Sequence, residues 1–89
     1  LILGTASNRK LNFKLFPNPT SSSIKIELPY NGNGNWYLTD ISGNRIKQNS
    51  IENNTDAFDI NVADVASGTY LLTLEMNGTV STSKVVIVR

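Results

Sequence analysis

The chain of 89 residues contains no cysteine and no histidine. It therefore lacks a thiol nucleophile, the usual zinc ligands, and the side chain that most often acts as a general base at neutral pH. Disulfide bonds are excluded as well, so the hydrophobic core alone must hold the fold together. These absences exclude most classes of enzyme, and we expect a domain with no catalytic site, no cofactor and no metal ion.

Charge is also scarce, and the two signs nearly cancel. Charged residues make up 17% of the chain, and 8 basic side chains against 7 acidic ones leave a formal net charge of +1. A surface this balanced lacks the basic patch that attracts nucleic acid or anionic lipid. The longest apolar run inside the chain, Val85 to Val88, is far shorter than the roughly 20 residues of a membrane-spanning helix. We expect a monomer that neither binds nucleic acid nor spans a membrane.

The sequence is rich instead in residues of turns and strands. Asn, Ser and Thr account for 29 of the 89 residues; Asn and Ser favour turns, and Thr favours strands. Apolar and polar residues alternate in short segments, which is the period of a half-buried strand, and no helical period is present. The pattern predicts strands near residues 11–15, 24–28, 36–40, 45–48, 58–62, 70–76 and 80–88.

Turn residues separate these strands. Prolines end the first two, and the later connections are an Asn-Gly loop at 31–35, turns at 42–44 and 64–68, a polar loop at 49–56 and an Asn-Gly hairpin turn at 77–78. This organisation is typical of a single antiparallel β-sandwich of about seven strands, immunoglobulin-like in size. We expect residues 11–89 to form the domain. Residues 1–10 are either a linker or a first edge strand, and the internal position of the only methionine, Met76, favours a domain cut from a longer protein.

The third strand breaks its own alternation at Asp40. Asp40 shares the inward phase of that strand, whereas the apolar Ile41 does not. We expect a β-bulge near Asp40 to repair the phase, and the Asp40 carboxylate to accept hydrogen bonds from the turn amides of Ser42 and Gly43.

The aromatic residues allow two interpretations. Trp36 lies in the inward phase of its strand, where one tryptophan commonly anchors a sandwich core, so we expect it to be buried. Tyr30 and Tyr37 are close to it in sequence, and the pattern leaves open whether Tyr37 packs against the fold or begins a sugar-stacking platform.

Two further features are unusual for a plain sandwich. Pro17-Asn18-Pro19 fixes φ at alternate positions and removes two amide donors, which predicts a stiff corner after the first strand. In the last strand, Val85 and Ile87 point one way while Val86 and Val88 point the other, so both faces are apolar. A half-solvated last strand carries polar residues on one face. Either the strand is covered on both sides, or one face is kept for a partner.

Four motifs follow one another in order along residues 13–89: Pro17-Asn18-Pro19, Asp40-Ile41-Ser42-Gly43, Val65-Ala66-Ser67-Gly68-Thr69-Tyr70 and Lys84-Val85-Val86-Ile87-Val88. In this order and spacing they resemble the type A C-terminal sorting domain of the type IX secretion system, or Por secretion system, of Bacteroidota. The family pattern has Leu where Val65 stands, which keeps an apolar residue there.

The resemblance implies that the domain is a signal that directs the export of the protein to which it is attached. Family members fold in the periplasm, and the domain leads its cargo through shuttle proteins to an outer-membrane translocon. A sortase-like cysteine protease usually then removes the domain, and the cargo stays at the cell surface or is released. Residues 1–10 would then belong to the linker or edge segment from the preceding cargo.

The resemblance also implies a set of sorting or recognition residues. They are Pro17, Asn18, Pro19, Asp40, Gly43, Gly68, Tyr70, Lys84, Val85, Val86, Ile87, Val88 and Arg89. Within this set, Gly68 and Tyr70 resemble a tyrosine corner. The family phase places Val85 and Ile87 inward, and an exposed terminal strand is a natural site for strand addition by a partner. The alternative function is an immunoglobulin-like carbohydrate-binding or spacer module of a secreted surface enzyme.

Overall fold

The computed structural model describes residues 12–17 and 19–88 and shows five strands. They are β1 (Lys14–Phe16), β2 (Ser23–Asp40), β3 (Arg45–Asn61), β4 (Gly68–Met76) and β5 (Thr79–Ile87). Every pairing between them is antiparallel. The predicted all-β antiparallel class is therefore confirmed.

The 18-residue strand β2 organises the sheet. β3 pairs with one edge along most of its length, while β1 pairs with the beginning of the other edge and β4 with its end. β5 lies beyond β4, so β1 and the β4–β5 pair follow one edge of β2 and β3 follows the other. The two halves of β2 thus carry different neighbours.

The number of strands is five rather than about seven, because two predicted loops are paired with each other. The segments 31–35 and 49–56 lie opposite one another within the β2–β3 pair, and the register shifts on both sides of Gly32. Asn54 takes a positive φ of 62° in this irregular region. Asn and Gly tolerate such bulged geometry, so the stretch that looks like a loop in sequence continues the strand.

One hydrophobic core collects the inward side chains of both halves of β2 and of the last three strands. Fully buried members come from β2 (Ile24, Ile26, Leu38), β3 (Ile60), β4 (Leu72, Leu74, Met76) and β5 (Val85, Ile87). Phe13 and Leu15 pack against this cluster from the first strand region. Trp36 is buried as predicted, and its ring lies parallel to that of Phe58 at 6.4 Å between centroids.

The hairpin between β4 and β5 turns at Asn77 and Gly78, as the sequence predicts. Both residues have positive φ, 51° and 77°, and Met76 pairs with Thr79 across the turn. This is the two-residue hairpin geometry for which Asn-Gly is strongly preferred. The turn sets the register of β5 on β4, and therefore which β5 side chains point inward.

Gly34 marks the closest approach of β2 to β4. A Cβ atom at this position would lie 1.9 Å from the main-chain oxygen of Glu75, which belongs to the backbone and cannot swing away. At Gly32, in contrast, the nearest obstacle is the flexible end of the Met76 side chain, at 2.7 Å. Only the first position requires glycine for the pairing of β2 with β4.

We expect Gly34→Ala to lower the free energy of unfolding by about 2 kcal/mol or more, because β2 and β4 must separate locally. The matched variant Gly32→Ala should cost less than about 1 kcal/mol, since the Met76 methyl group can move. Urea denaturation of both variants measures the difference. Equal stabilities would show that the backbone contact at Gly34 does not constrain the sheet.

Candidate functional site: the motif end of the sheet

A tight turn follows β2 and is organised by the carboxylate of Asp40. Its Oδ1 atom accepts hydrogen bonds from the amides of Ser42 and Asn44, each at 2.9 Å, and Oδ2 accepts one from the Asn44 side chain at 3.1 Å. The Gly43 amide donates to the main-chain carbonyl of Asp40 at 3.0 Å. Gly43 has φ +93°, a conformation that other residues rarely adopt. The predicted capping is confirmed for Ser42, and Asn44 adds two donors that the sequence did not reveal.

These donors stabilise the ionised carboxylate. The amide and the side chain of Asn44 hold the pKa of Asp40 below its ordinary value of 3.8, with smaller help from the amides of Ser42 and Gly43, while partial removal from water opposes them. Asp40 therefore acts as the acceptor that closes this turn.

The expectation that a β-bulge near Asp40 restores the inward–outward alternation of this strand is wrong. The β2–β3 register does shift nearby, because the step from Leu38 to Thr39 spans two residues on β3. The extra residue, Ile46, lies on β3, so the irregularity leaves the phase of β2 unchanged. Asp40 keeps the inward phase, and Ile41 enters the turn with 78% of its surface exposed.

A tyrosine corner lies between β3 and β4. The Tyr70 hydroxyl donates a hydrogen bond to the main-chain carbonyl of Ala66 at 2.7 Å, and the residue is 8% exposed. A Cβ atom at Gly68 would lie 3.5 Å from the Tyr70 ring, so the chain turns in contact with that ring. The predicted corner is confirmed.

The strand registers bring three motifs together. Asp40 of β2 pairs with Tyr70 of β4, and Tyr70 pairs with Val85 of β5, so one row crosses three strands. Two residues further along, Gly68 pairs with Ile87. Motifs that are far apart in sequence therefore occupy adjacent rows, at what we call the motif end of the sheet.

The corner that begins at Pro17 reaches the same end through Thr20. Thr20 forms an isolated parallel bridge with Ile87: its amide donates to the carbonyl of Val86 at 3.0 Å, and its carbonyl accepts from the amide of Val88 at 2.8 Å. The predicted stiff corner is thus the segment that carries the chain to the outer edge of β5. Pro17 and Pro19 are themselves exposed, and the peptide bond before Pro17 is cis.

The terminal strand separates its side chains as predicted. Val85 and Ile87 are 0% and 1% exposed, whereas Val86 is half-buried and Val88 is 50% exposed. Lys84 is exposed as well. At the end of the strand, the edge that faces away from β4 is already in use for strand pairing, because the Val86 carbonyl and the Val88 amide are bonded to Thr20.

Two of the predicted recognition residues, Asn18 and Arg89, lie outside the described residues. Three that contribute to this end were missed: Thr20, Asn44 and Ala66. Ala66 and Thr20 act through main-chain groups, which no side-chain pattern reveals. For Asn44 the sequence did contain an indication, since a polar residue directly after Asp-x-x-Gly is placed to donate a hydrogen bond back to the aspartate.

A shallow polar groove of about 480 Å³ lies further along β2 and includes Asn35, Tyr37, Arg45, Gln48 and Glu75 in its lining. The Arg45 guanidinium carbon lies 3.9 Å from the centroid of the Tyr37 ring. This cation–π contact occupies one face of the Tyr37 ring. Arg45 also donates to the Gln48 side chain at 2.9 Å, which holds the guanidinium in place.

The other acidic side chains do not converge. Asp64 pairs with the Lys47 ammonium at 3.0 Å on the surface. In residues 12–17 and 19–88, no three acidic residues are gathered as a metal ion requires. The same part of the chain contains no helix with the length and apolarity needed to cross a bilayer.

Comparison with known protein families agrees with this geometry. The family model for the secretion system C-terminal sorting domain matches residues 14–88, which include all four motifs. No curated protein gives a significant match to the chain.

The all-β fold and the four converging motifs define a small sorting module. Because the family model covers nearly the whole chain, the chain belongs to the secretion system C-terminal sorting domains. It is thus a C-terminal sorting signal of type IX secretion, which implies interaction with the secretion machinery and export to the cell surface or the extracellular space.

We expect Tyr70→Phe to cost about 1 kcal/mol, because the ring stays and only the hydrogen bond to Ala66 is lost. Tyr70→Ala removes the buried ring and should cost about 3–5 kcal/mol, enough to unfold a domain of ordinary stability. Thermal melts followed by circular dichroism compare the two. A cooperative melt of Tyr70→Ala within a few degrees of wild type would show that the ring does not anchor the corner.

The acid stability of the domain should depend on Asp40. Its pKa is lowered in the folded state, so its stabilising contribution is complete above the unfolded value of about 3.8 and is lost as the pH falls through the folded pKa. We expect the melting temperature of wild type to fall below about pH 4 more steeply than that of Asp40→Asn. Asn44→Ala keeps the amide donor and loses the side-chain donor, so its melting temperature should fall below about pH 4 with an intermediate slope. The same slope in all three proteins would contradict this role of Asp40.

Proposed function

We propose that the folded domain is recognised in the periplasm by shuttle proteins and the outer-membrane translocon of the type IX system, and that the outer face of the terminal strand is the surface they contact. A sortase-like protease then removes the domain once the cargo has crossed. The domain itself catalyses nothing and requires no cofactor. Its contribution is a stable surface that can be attached to unrelated cargo proteins.

The observation that carries this proposal is that the side chains at the end of β5 point alternately into the core and away from it. Val85 and Ile87 anchor the strand in the core, while Val86 and Val88 direct apolar side chains outward at its end. An outer face that meets only water ordinarily carries polar side chains. Apolar residues there, inside the terminal motif of the family, support recognition of that face by a protein partner.

Removal by a protease is compatible with the position of the first strand. β1 begins at Lys14 and is paired with β2 through three residues. A cut within residues 1–10 would precede every strand pair that the structure describes, so these pairs would all remain in the released domain.

The rival function, carbohydrate binding, needs an accessible row of aromatic rings. Of the two tyrosines available for such a row, Tyr30 is 41% exposed and lies in the irregular stretch of β2, whereas Arg45 covers one face of the Tyr37 ring. A sugar that stacks on Tyr37 would have to displace a guanidinium that is hydrogen-bonded to Gln48. We therefore retain sorting as the function.

The decisive experiment fuses a reporter to the N-terminus of the chain in a bacterium that has type IX secretion. Val86→Asp and Val88→Asp should keep a cooperative melt in the purified chain, yet leave the reporter inside the cell, because a charge on the recognised face opposes apolar contact. Val85→Asp should unfold the domain, since an unpaired buried carboxylate costs several kcal/mol. Cell fractionation measures the surface fraction of each reporter.

Val80→Asp serves as the matched control. Val80 is 55% exposed and belongs to the same strand, but it pairs with Glu75 near the hairpin, at the opposite end from the terminal motif. We expect its reporter to reach the surface at the wild-type level. Normal delivery of both Val86→Asp and Val88→Asp would remove the terminal strand from the recognised surface.

A further inference from the structure

β5 has a complete neighbour on one side only. Its pairing with β4 runs from Met76–Thr79 to Gly68–Ile87. On the other side, the strand contact of β5 in the described part of the chain is the single bridge to Thr20, at the end where the terminal motif lies. The last residues of an edge strand fray most readily, so a contact at this end has the greatest influence on their order.

Thr20 is held by three hydrogen bonds. Besides the two main-chain bonds to Val86 and Val88, its Oγ1 atom donates to the carbonyl of Ser23 at 2.6 Å. The residue is 5% exposed although it is polar. The hydroxyl therefore ties the bridging residue to the start of β2, and the backbone ties it to β5.

The segment around Thr20 is also joined to the tyrosine corner. The Ser22 carbonyl accepts a hydrogen bond from the Val62 amide at 2.8 Å, and the Val62 carbonyl accepts one from the Val65 amide at 3.0 Å. This loop leads directly to Ala66, whose carbonyl holds the Tyr70 hydroxyl. The bridge to β5 is thus anchored in the folded domain and is not an isolated contact.

We propose that Thr20 is a positioning residue. Its main-chain hydrogen bonds to Val86 and Val88, which we call the clasp, hold the end of β5 in place and thereby present its outer side chains to the secretion machinery. This inference rests on the proposed function and adds a constraint on the partner. Because the Val86 carbonyl and the Val88 amide are already bonded to Thr20, a partner strand cannot pair with these two groups. The partner is a protein surface that receives the apolar side chains of Val86 and Val88.

A nearly buried residue offers a clean test, because a partner has almost no surface of Thr20 to touch. An effect of a substitution at this position on export acts through the segments that Thr20 holds, which are the end of β5 and the start of β2, and hydrogen exchange at Val88 shows whether β5 is affected. Thr20→Ser keeps all three hydrogen bonds, Thr20→Val loses the bond to the Ser23 carbonyl, and Thr20→Pro loses that bond together with the amide donor to Val86. The three variants form a graded series in which no exposed residue of the terminal motif changes.

Two measurements are made on this series with the 89-residue chain: amide hydrogen exchange by NMR, and export of the fused reporter. In wild type, the amides of Thr20 and Val88 should be protected from exchange. We expect Thr20→Val to speed exchange at Val88 by about tenfold, and Thr20→Pro by more. Export should fall in the same order, and Thr20→Ser should match wild type in both measurements.

A second pair of variants covers the case in which Thr20→Val or Thr20→Pro fails to fold. Val88→Pro deletes the donor to the Thr20 carbonyl without changing the buried residue, and Val88→Ala shortens the same side chain while keeping that donor. Lower export of Val88→Pro than of Val88→Ala supports the clasp, and equal export overturns it.

Three results separate the inference from the proposed function. Unprotected amides at Thr20 and Val88 in wild type would overturn the clasp. Rapid exchange of the Val88 amide together with full export of the reporter in Thr20→Val would show that the clasp is not needed to present the outer side chains, whatever the result for Val86→Asp and Val88→Asp. Normal export of Val86→Asp and Val88→Asp, together with loss of export in Thr20→Val, would overturn the outer face as the recognised surface and would support the clasp.

Discussion

The register of β4 is the constraint on which the rest of the structure depends. β4 pairs with β2 on one side and with β5 on the other, and Tyr70 stands in the row that joins Asp40 to Val85. A slip of one residue in either pairing would turn every core side chain of the strand toward water. The Asn77-Gly78 turn and the glycine at position 34 hold these two registers, and the Tyr70 hydroxyl fixes where β4 begins.

Structural and recognition roles overlap at the motif end. Asp40 closes a turn, Tyr70 anchors a corner, and Val85 and Ile87 fill the core. Tyr70, Val85 and Ile87 offer almost no surface to a partner, so we infer that their place in a sorting motif reflects the fold they maintain. Of the terminal motif, Lys84, Val86 and Val88 face outward, and their position depends on the buried residues around them.

A domain without disulfide bonds links its signal to the folded state. The core that holds β5 is assembled from both halves of β2 and from β3 and β4, so the terminal strand is ordered only when the whole sheet has formed. A chain in which Thr20 has not reached β5 lacks the final bridge. Such coupling means that a partner which contacts β5 distinguishes a folded cargo tail from an unfolded one.

The sequence by itself determined the all-β class, the two alternating faces of the terminal strand, the buried Trp36, the Asn-Gly hairpin and the tyrosine corner. Each of these follows from local alternation or turn chemistry, which acts within a few residues of the chain. The tertiary structure alone decided that the segments 31–35 and 49–56 pair instead of looping, that Ile41 stays exposed, and that Thr20 bridges to Ile87. These features depend on main-chain hydrogen bonds between distant segments, and main-chain groups are the same in every residue except proline, so no side-chain pattern encodes their partners.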